Sequence, residues 1–187
     1  VSKTFTLDHI NPLIKHGHLH FGENKVQEAI AKWSDSKKEN PTIQLHMIGK
    51  LQSNKAKDAV KLFDYIHSVD NQKLADTLSK HQLNLNKKLN YFIQVNIGNE
   101  IQKSGIPVSE LDAFYNYCVN EIHLNVVGLM VIPPNDNNTE KYFHIHPGDR
   151  IAQLELVREI VTDVYETEER PEQKTDRDGG FGSTGVN

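Results

Sequence analysis

Two groups of residues in this 187-residue chain have types and spacing suited to chemistry. Near the start, Lys3 lies in Val1-Ser2-Lys3-Thr4-Phe5, a segment that reads as a strand already running at its first residue. An ammonium near the end of a buried strand is costly to desolvate, and burial lowers its pKa. A lysine tuned in this way is an amine nucleophile suited to Schiff-base chemistry. The alternative for the same residue is a solvated lysine beside a frayed end. Near the other terminus stands Thr175-Asp176-Arg177-Asp178-Gly179-Gly180-Phe181-Gly182-Ser183-Thr184-Gly185. Its glycines let backbone amides approach phosphate. Ser183 and Thr184 add hydroxyl donors, Arg177 offers a planar fork to a terminal phosphate, and Phe181 can cover a nucleobase. The alternative here is a Gly/Ser tail without fixed structure.

The ten histidines raise a third chemistry. They are densest at His16-Gly17-His18-Leu19-His20 and His144-Ile145-His146. Alternating histidines can ligate a metal, but no nearby cysteine or ordered carboxylate completes either set, and no metal site is expected. There is no Walker A loop, no Gly-x-Ser-x-Gly elbow and no His-Glu-x-x-His helix.

Strand and helix patterns alternate along the first three quarters of the chain. Strand spacing falls on 1–5, 19–21, 43–48, 65–69, 91–97 and 126–132. Helical spacing falls on 7–16, 26–33, 54–62, 72–83 and 109–119, the last with Ser109 as its cap. Six strands alternating with five helices predict a parallel sheet covered by helices, and a barrel and an open doubly wound sheet fit equally well. Chemistry in either gathers at the carboxyl ends of the strands. Lys3, Asn24, Asp70 and Asn96 stand there, with Glu23 beside Asn24 and Gln52-Ser53-Asn54 after the third strand.

Composition bounds the class. Hydrophobic residues are 37%, charged residues 25%, and the net charge is -4. This is a globular composition, and its sign argues against a dedicated nucleic-acid binder. No apolar run is long enough to span a membrane, and no charged and then apolar leader opens the chain. The single Cys118 rules out a disulfide framework and points to a reducing compartment, the cytoplasm. The charge is uneven. Residues 1–146 carry 16 lysines and no arginine, whereas all 4 arginines lie after position 146, together with 10 acids. This break, close after the turn-rich Pro133-Pro134-Asn135-Asp136-Asn137-Asn138, divides the chain near 140–147 into a domain over 1–143 and a segment over 144–187.

Six blocks of the first domain resemble one family. They are Val1-Ser2-Lys3-Thr4, His20 to Glu28, His46 to Lys55, Ile66 to Asp70, Val95 to Gly105 and Gly128 to Pro134. In this order and spacing they look like the signature blocks of the pyridoxal-phosphate homeostasis proteins, similar in fold to the N-terminal barrel of alanine racemase. The resemblance implies an incomplete (β/α)8 TIM-type barrel of six strands. It implies that Lys3 forms an aldimine with pyridoxal 5'-phosphate, that Asn24 lies beside the cofactor ring and that Ile48 helps to wall it. The implied role is a carrier or buffer of the cofactor, with no catalytic residue and no turnover. The family's opening helix is not found before Val1. Its two closing strands with their phosphate-holding loops are not found either, which would leave two long parallel edges open.

The last 41 residues are similar to something else. Gly148-Asp149-Arg150-Ile151-Ala152-Gln153-Leu154 resembles the fourth motif of the trimeric dUTPases, and residues 175–185 resemble the fifth, their C-terminal arm. The arm here is one residue shorter than usual after its arginine. The likeness implies a nucleotide-binding set of Arg150, Gln153, Arg177, Phe181, Gly182, Ser183 and Thr184. It implies hydrolysis of dUTP, with magnesium, at a site shared with other subunits. The family's remaining motifs are not found, so the chain reads as a chimera. Its oligomeric state is not specified.

Overall fold

A computed structural model describes residues 1–98 and 103–133. The helices are α1 (Leu7–Lys15), α2 (Val26–Glu39), α3 (Ala56–Leu62), α4 (Gln72–Asn84) and α5 (Leu111–Asn116). The strands are β1 (His20–Glu23), β2 (Gln44–Met47), β3 (Tyr65–Val69), β4 (Asn90–Asn96), β5 (Ile106–Pro107) and β6 (Val126–Val131). The strands form one parallel sheet in which β1, β2, β3 and β4 follow in sequence order. Both β5 and β6 pair with β4. This is the incomplete barrel that the family resemblance implied. Among the described residues the sheet is open.

The sheet has two differently furnished faces, because successive side chains on a strand alternate. One face packs against the helices. Leu45, Met47, Ile66, Tyr91, Ile93 and Val95 from the strands join Ala29, Trp33, Ala59, Val60, Leu74 and Leu78 from the helices in a single core. The 3.6-residue spacing of Val26, Ala29 and Trp33 on α2 and of Leu74, Ala75 and Leu78 on α4 turns one stripe of each helix into that core. Phe92 and Met130 are buried outside this cluster, on the opposite face. The five inner residues of β4 are all buried, as befits a central strand of a parallel sheet. On β6 the pattern alternates, with Met130 buried and Val127 and Leu129 exposed.

Three expectations are corrected. Residues 1–5 are not a strand: the amide of Phe5 donates to the carbonyl of Ser2 at 3.0 Å, which closes a turn with Lys3 and Thr4 at its tip. Lys3 is therefore exposed and not at a buried strand end. The sixth strand is instead the two-residue β5. Its pairings, Val95 with Ile106 and Asn96 with Pro107, form across a loop and are too short to show in a periodicity. Ser109 caps nothing, because a 3-10 turn over Val108–Glu110 precedes α5 and its side chains make no capping bond. The cap that does form is Asn71, whose side chain accepts from the Leu74 amide at 2.9 Å at the start of α4. Among the described residues no helix is long and apolar enough to cross a membrane.

Ile93 is fully buried in the middle of the sheet. Ile93→Ala removes three buried carbons and is expected to cost about 2–5 kcal/mol of unfolding free energy. Urea denaturation checks this, and a loss below about 1 kcal/mol would show that β4 is not the packing centre.

Candidate functional site

The loops that leave β1 and β2 meet at the carboxyl end of the sheet. The Ile48 amide donates to the Glu23 carbonyl at 2.9 Å, carrying the β1–β2 pairing one residue beyond the strands. Gly49 then passes so close to the backbone of Asn24 that a Cβ at position 49 would stand 2.2 Å from the Asn24 carbonyl oxygen. Only glycine permits that approach. The result sets Asn24 and Ile48 side by side, and both remain partly accessible. Gly22 contributes in the same way. A Cβ on it would meet Ile48 Cδ1 at 3.3 Å, so the isoleucine side chain lies over a strand position without a side chain.

Lys3 reaches the same corner by a different route. Ser2 is buried, and its amide donates to the Gly22 carbonyl at 2.9 Å while its hydroxyl donates to Glu23 Oε1 at 2.7 Å. The turn bearing Lys3 is thus pinned alongside β1, next in the chain to a residue bonded to Gly22 and Glu23. The structure brings the backbones of Lys3, Asn24 and Ile48 to one strand end, with the Lys3 side chain in solvent.

Glu23 is fully buried beneath this corner. Its Oε1 also accepts from Lys32 Nζ at 2.9 Å and from Trp33 Nε1 at 3.0 Å, both on α2, while its Oε2 has no partner. A buried carboxylate needs such compensation, and here one cation and two neutral donors supply it. Sequence reasoning noted Glu23 only as a neighbour of Asn24. It missed Ser2, Lys32 and Trp33, because the four residues converge only when α2 folds back on β1.

A second polar feature crosses the face away from the main core. His20 Nδ1 and His46 Nε2 lie 3.0 Å apart, and His46 Nδ1 and His67 Nε2 lie 2.9 Å apart. Three imidazoles on β1, β2 and β3 therefore run in series from the exposed His20 to the buried His67. Tyr65 stacks on His46 and Phe92 on His67, each with ring centroids 4.2 Å apart. His67 Nδ1 has no partner. Burial pushes His46 down to about 4, helped by the adjacent His20, and pushes His67 down to about 3, helped by His46. The sequence signal for this row was one histidine in each of three successive strand segments, whereas the dense clusters drew attention elsewhere. His18 instead rests edge-on against Phe21 and bonds the His20 carbonyl. Among the described residues no group of three or more His, Cys, Asp or Glu is arranged to hold a metal ion. His144 and His146 lie outside them, as do Arg150, Gln153, Arg177, Phe181, Gly182, Ser183 and Thr184.

Comparison with known proteins bears on this arrangement. The family model for the alanine racemase N-terminal domain matches residues 4–173. The chain belongs to that family. It is 39% identical over 138 residues to the pyridoxal phosphate homeostasis protein of Pasteurella multocida, covering 73% of this chain and 59% of that protein. It is 34% identical over 161 residues to the Vibrio alginolyticus protein of the same name, covering 85% of this chain and 68% of the relative. A structure of PipY from Synechococcus elongatus with PLP bound superposes with a TM-score of 0.67 at 36% identity, over 75% of this chain and 64% of PipY. The chain spans about 60% of the length of the first two curated relatives it matches. The family match runs past the composition break at 140–147 and over residues 148–154, and stops short of residues 175–185.

The low pKa values of His46 and His67 have a thermodynamic consequence. Both groups are neutral in the folded chain and take up a proton near 6.5 when unfolded, so the unfolded state binds more protons in between. Stability is then complete above pH 7 and falls as the pH drops from 6.5 through about 4 and about 3. The loss is about 1.4 kcal/mol per imidazole per pH unit. Thermal unfolding midpoints at pH 7, 6 and 5 are expected to decline, less steeply in His67→Phe. Equal slopes for the two proteins would show that His67 does not titrate with unfolding.

Proposed function

We propose that this chain binds pyridoxal 5'-phosphate at the carboxyl ends of β1 and β2 and serves as a carrier or buffer of that cofactor, without turnover. The observation that carries the reading is the contact of Gly49 with Asn24. It sets an amide and an aliphatic wall at the strand end where the Lys3 turn is held. The donor set fits the cofactor: a solvent-facing primary amine, a side-chain amide at the same strand end, and Ile48 to cover a flat ring. When bound, the cofactor supplies an aldehyde that condenses reversibly with a primary amine. Lys3 offers the amine, Asn24 orients the ring and Ile48 shields one side from water. The PLP-bound state of PipY and the names of the relatives support the same reading. The lone Cys118 among the chain's residues, buried with its thiol pushed up to about 12, suits the reducing cytoplasm.

Titration with pyridoxal 5'-phosphate, followed by visible absorbance, tests the proposal. A saturable band that disappears in Lys3→Ala is expected. No band, or one unchanged by Lys3→Ala, would overturn it.

A second reading rests on residues 175–185, which lie beyond the family match. The arm Arg177-Asp178-Gly179-Gly180-Phe181-Gly182-Ser183-Thr184, with Arg150 and Gln153, supplies phosphate donors and a stacking ring for a nucleotide site shared between subunits. Magnesium and dUTP would be its cofactor and substrate. Pyrophosphate release from dUTP that drops at least about fivefold in Phe181→Ala would support it, since base stacking on an aromatic is worth about 1–3 kcal/mol. Absence of release from the intact chain would remove it.

A further inference from the structure

Every polar group of Ser2 is engaged. Its amide donates to Gly22 and its hydroxyl to Glu23. Its carbonyl accepts from Lys32 Nζ at 2.9 Å and from the Phe5 amide. Its neighbours in sequence, Val1 and Lys3, are exposed. The opening segment is therefore held at one residue, and the turn that begins there has Lys3 as its second member.

The holding group is charged. Lys32 bridges the Ser2 carbonyl and the buried Glu23 carboxylate, and the same carboxylate oxygen takes the Ser2 hydroxyl and the Trp33 indole. The Lys32 side chain is 13% exposed, against 1% for Glu23. The ion pair is thus shielded from water, where a charge-assisted hydrogen bond is strong and loss of one partner is costly. The Lys32 ammonium is committed to two acceptors and is no rival amine, while Lys3, one residue from the bonded serine, keeps its ammonium in solvent.

We infer that Ser2, Glu23 and Lys32 form a clamp that aims Lys3, and that they are positioning residues for the cofactor site. The inference rests on the reading of Lys3 as the cofactor's amine ligand. In that reading the clamp fixes the base of the lysine arm. The arm then searches a small volume above Asn24 and Ile48, and binding loses less conformational freedom. The unpartnered Glu23 Oε2 leaves the carboxylate unable to compensate internally if Ser2 or Lys32 is removed.

The experiment compares pyridoxal 5'-phosphate titrations of the intact chain and of Ser2→Ala, Ser2→Thr and Lys32→Met. The signal is the absorbance difference between each protein and its Lys3→Ala counterpart. Thermal unfolding is followed on the same samples. Ser2→Ala and Lys32→Met are each expected to weaken apparent affinity about tenfold, the worth of one hydrogen bond to a charged group. Ser2→Thr, which keeps the hydroxyl, is expected to restore it. A role in packing alone predicts the reverse order, because alanine fits a small buried site and threonine crowds it. Lys32→Met reports on the clamp from α2 should Ser2→Ala fail to fold. Unchanged affinity in both variants, or equal weakening in Ser2→Ala and Ser2→Thr, would overturn the clamp and leave the binding reading intact. Absence of any Lys3-dependent signal in the intact chain would overturn the binding reading and the clamp with it.

Discussion

A carboxylate buried without exposure is the constraint around which this end of the molecule is arranged. Glu23 ends β1 and faces α2, where a charge lacking partners would cost several kcal/mol. Lys32 and Trp33, adjacent on α2, and Ser2, far away in sequence, all deliver hydrogen atoms to one oxygen of that carboxylate. Satisfying Glu23 therefore fixes three things together: how α2 lies on β1, where the opening segment runs, and from which point the Lys3 turn rises. A Gln at position 23 keeps most of the shape and loses the charge that holds Lys32.

The two faces of the sheet solve different problems with the same strands. Toward the helices, aliphatic and aromatic side chains fill a continuous core, and the stability of the domain resides there. Toward the other face, the strands carry a row of imidazoles stacked on Tyr65 and Phe92. Neutral imidazoles tolerate that setting because each supplies one donor and one acceptor, so a row can satisfy itself from strand to strand. The row ends on one side in the exposed His20 and on the other in a buried nitrogen of His67 without partner, and burial is what makes His46 and His67 resist protonation.

At the carboxyl end of the sheet the decisive feature is an absence of side chains. Gly49 crosses the Asn24 backbone at a distance that no Cβ survives, and Gly22 lies beneath Ile48. These two positions give the corner its shape, while Asn24, Ile48 and the Lys3 turn give it chemical character.

Sequence alone determined the alternation of strands and helices, the core stripes of α2 and α4, and the family. Those features are local or periodic, and each element declares them within a few residues. What the sequence misjudged was set by contacts between distant segments. Residues 1–5 alternate like a strand, but the Ser2–Phe5 bond and the pull of Glu23 on the Ser2 hydroxyl bend them into a turn. Lys3, expected at a buried strand end, stands exposed at the tip of that turn. The bonds of the histidine row and the Glu23 network join partners 9 to 30 residues apart, so no local spacing announces them. Only the sheet register and the return of α2 bring them within hydrogen-bonding distance. Hydrogen bonding and charge compensation act over about 3 Å of space, and which residues lie within that distance is decided by the tertiary fold.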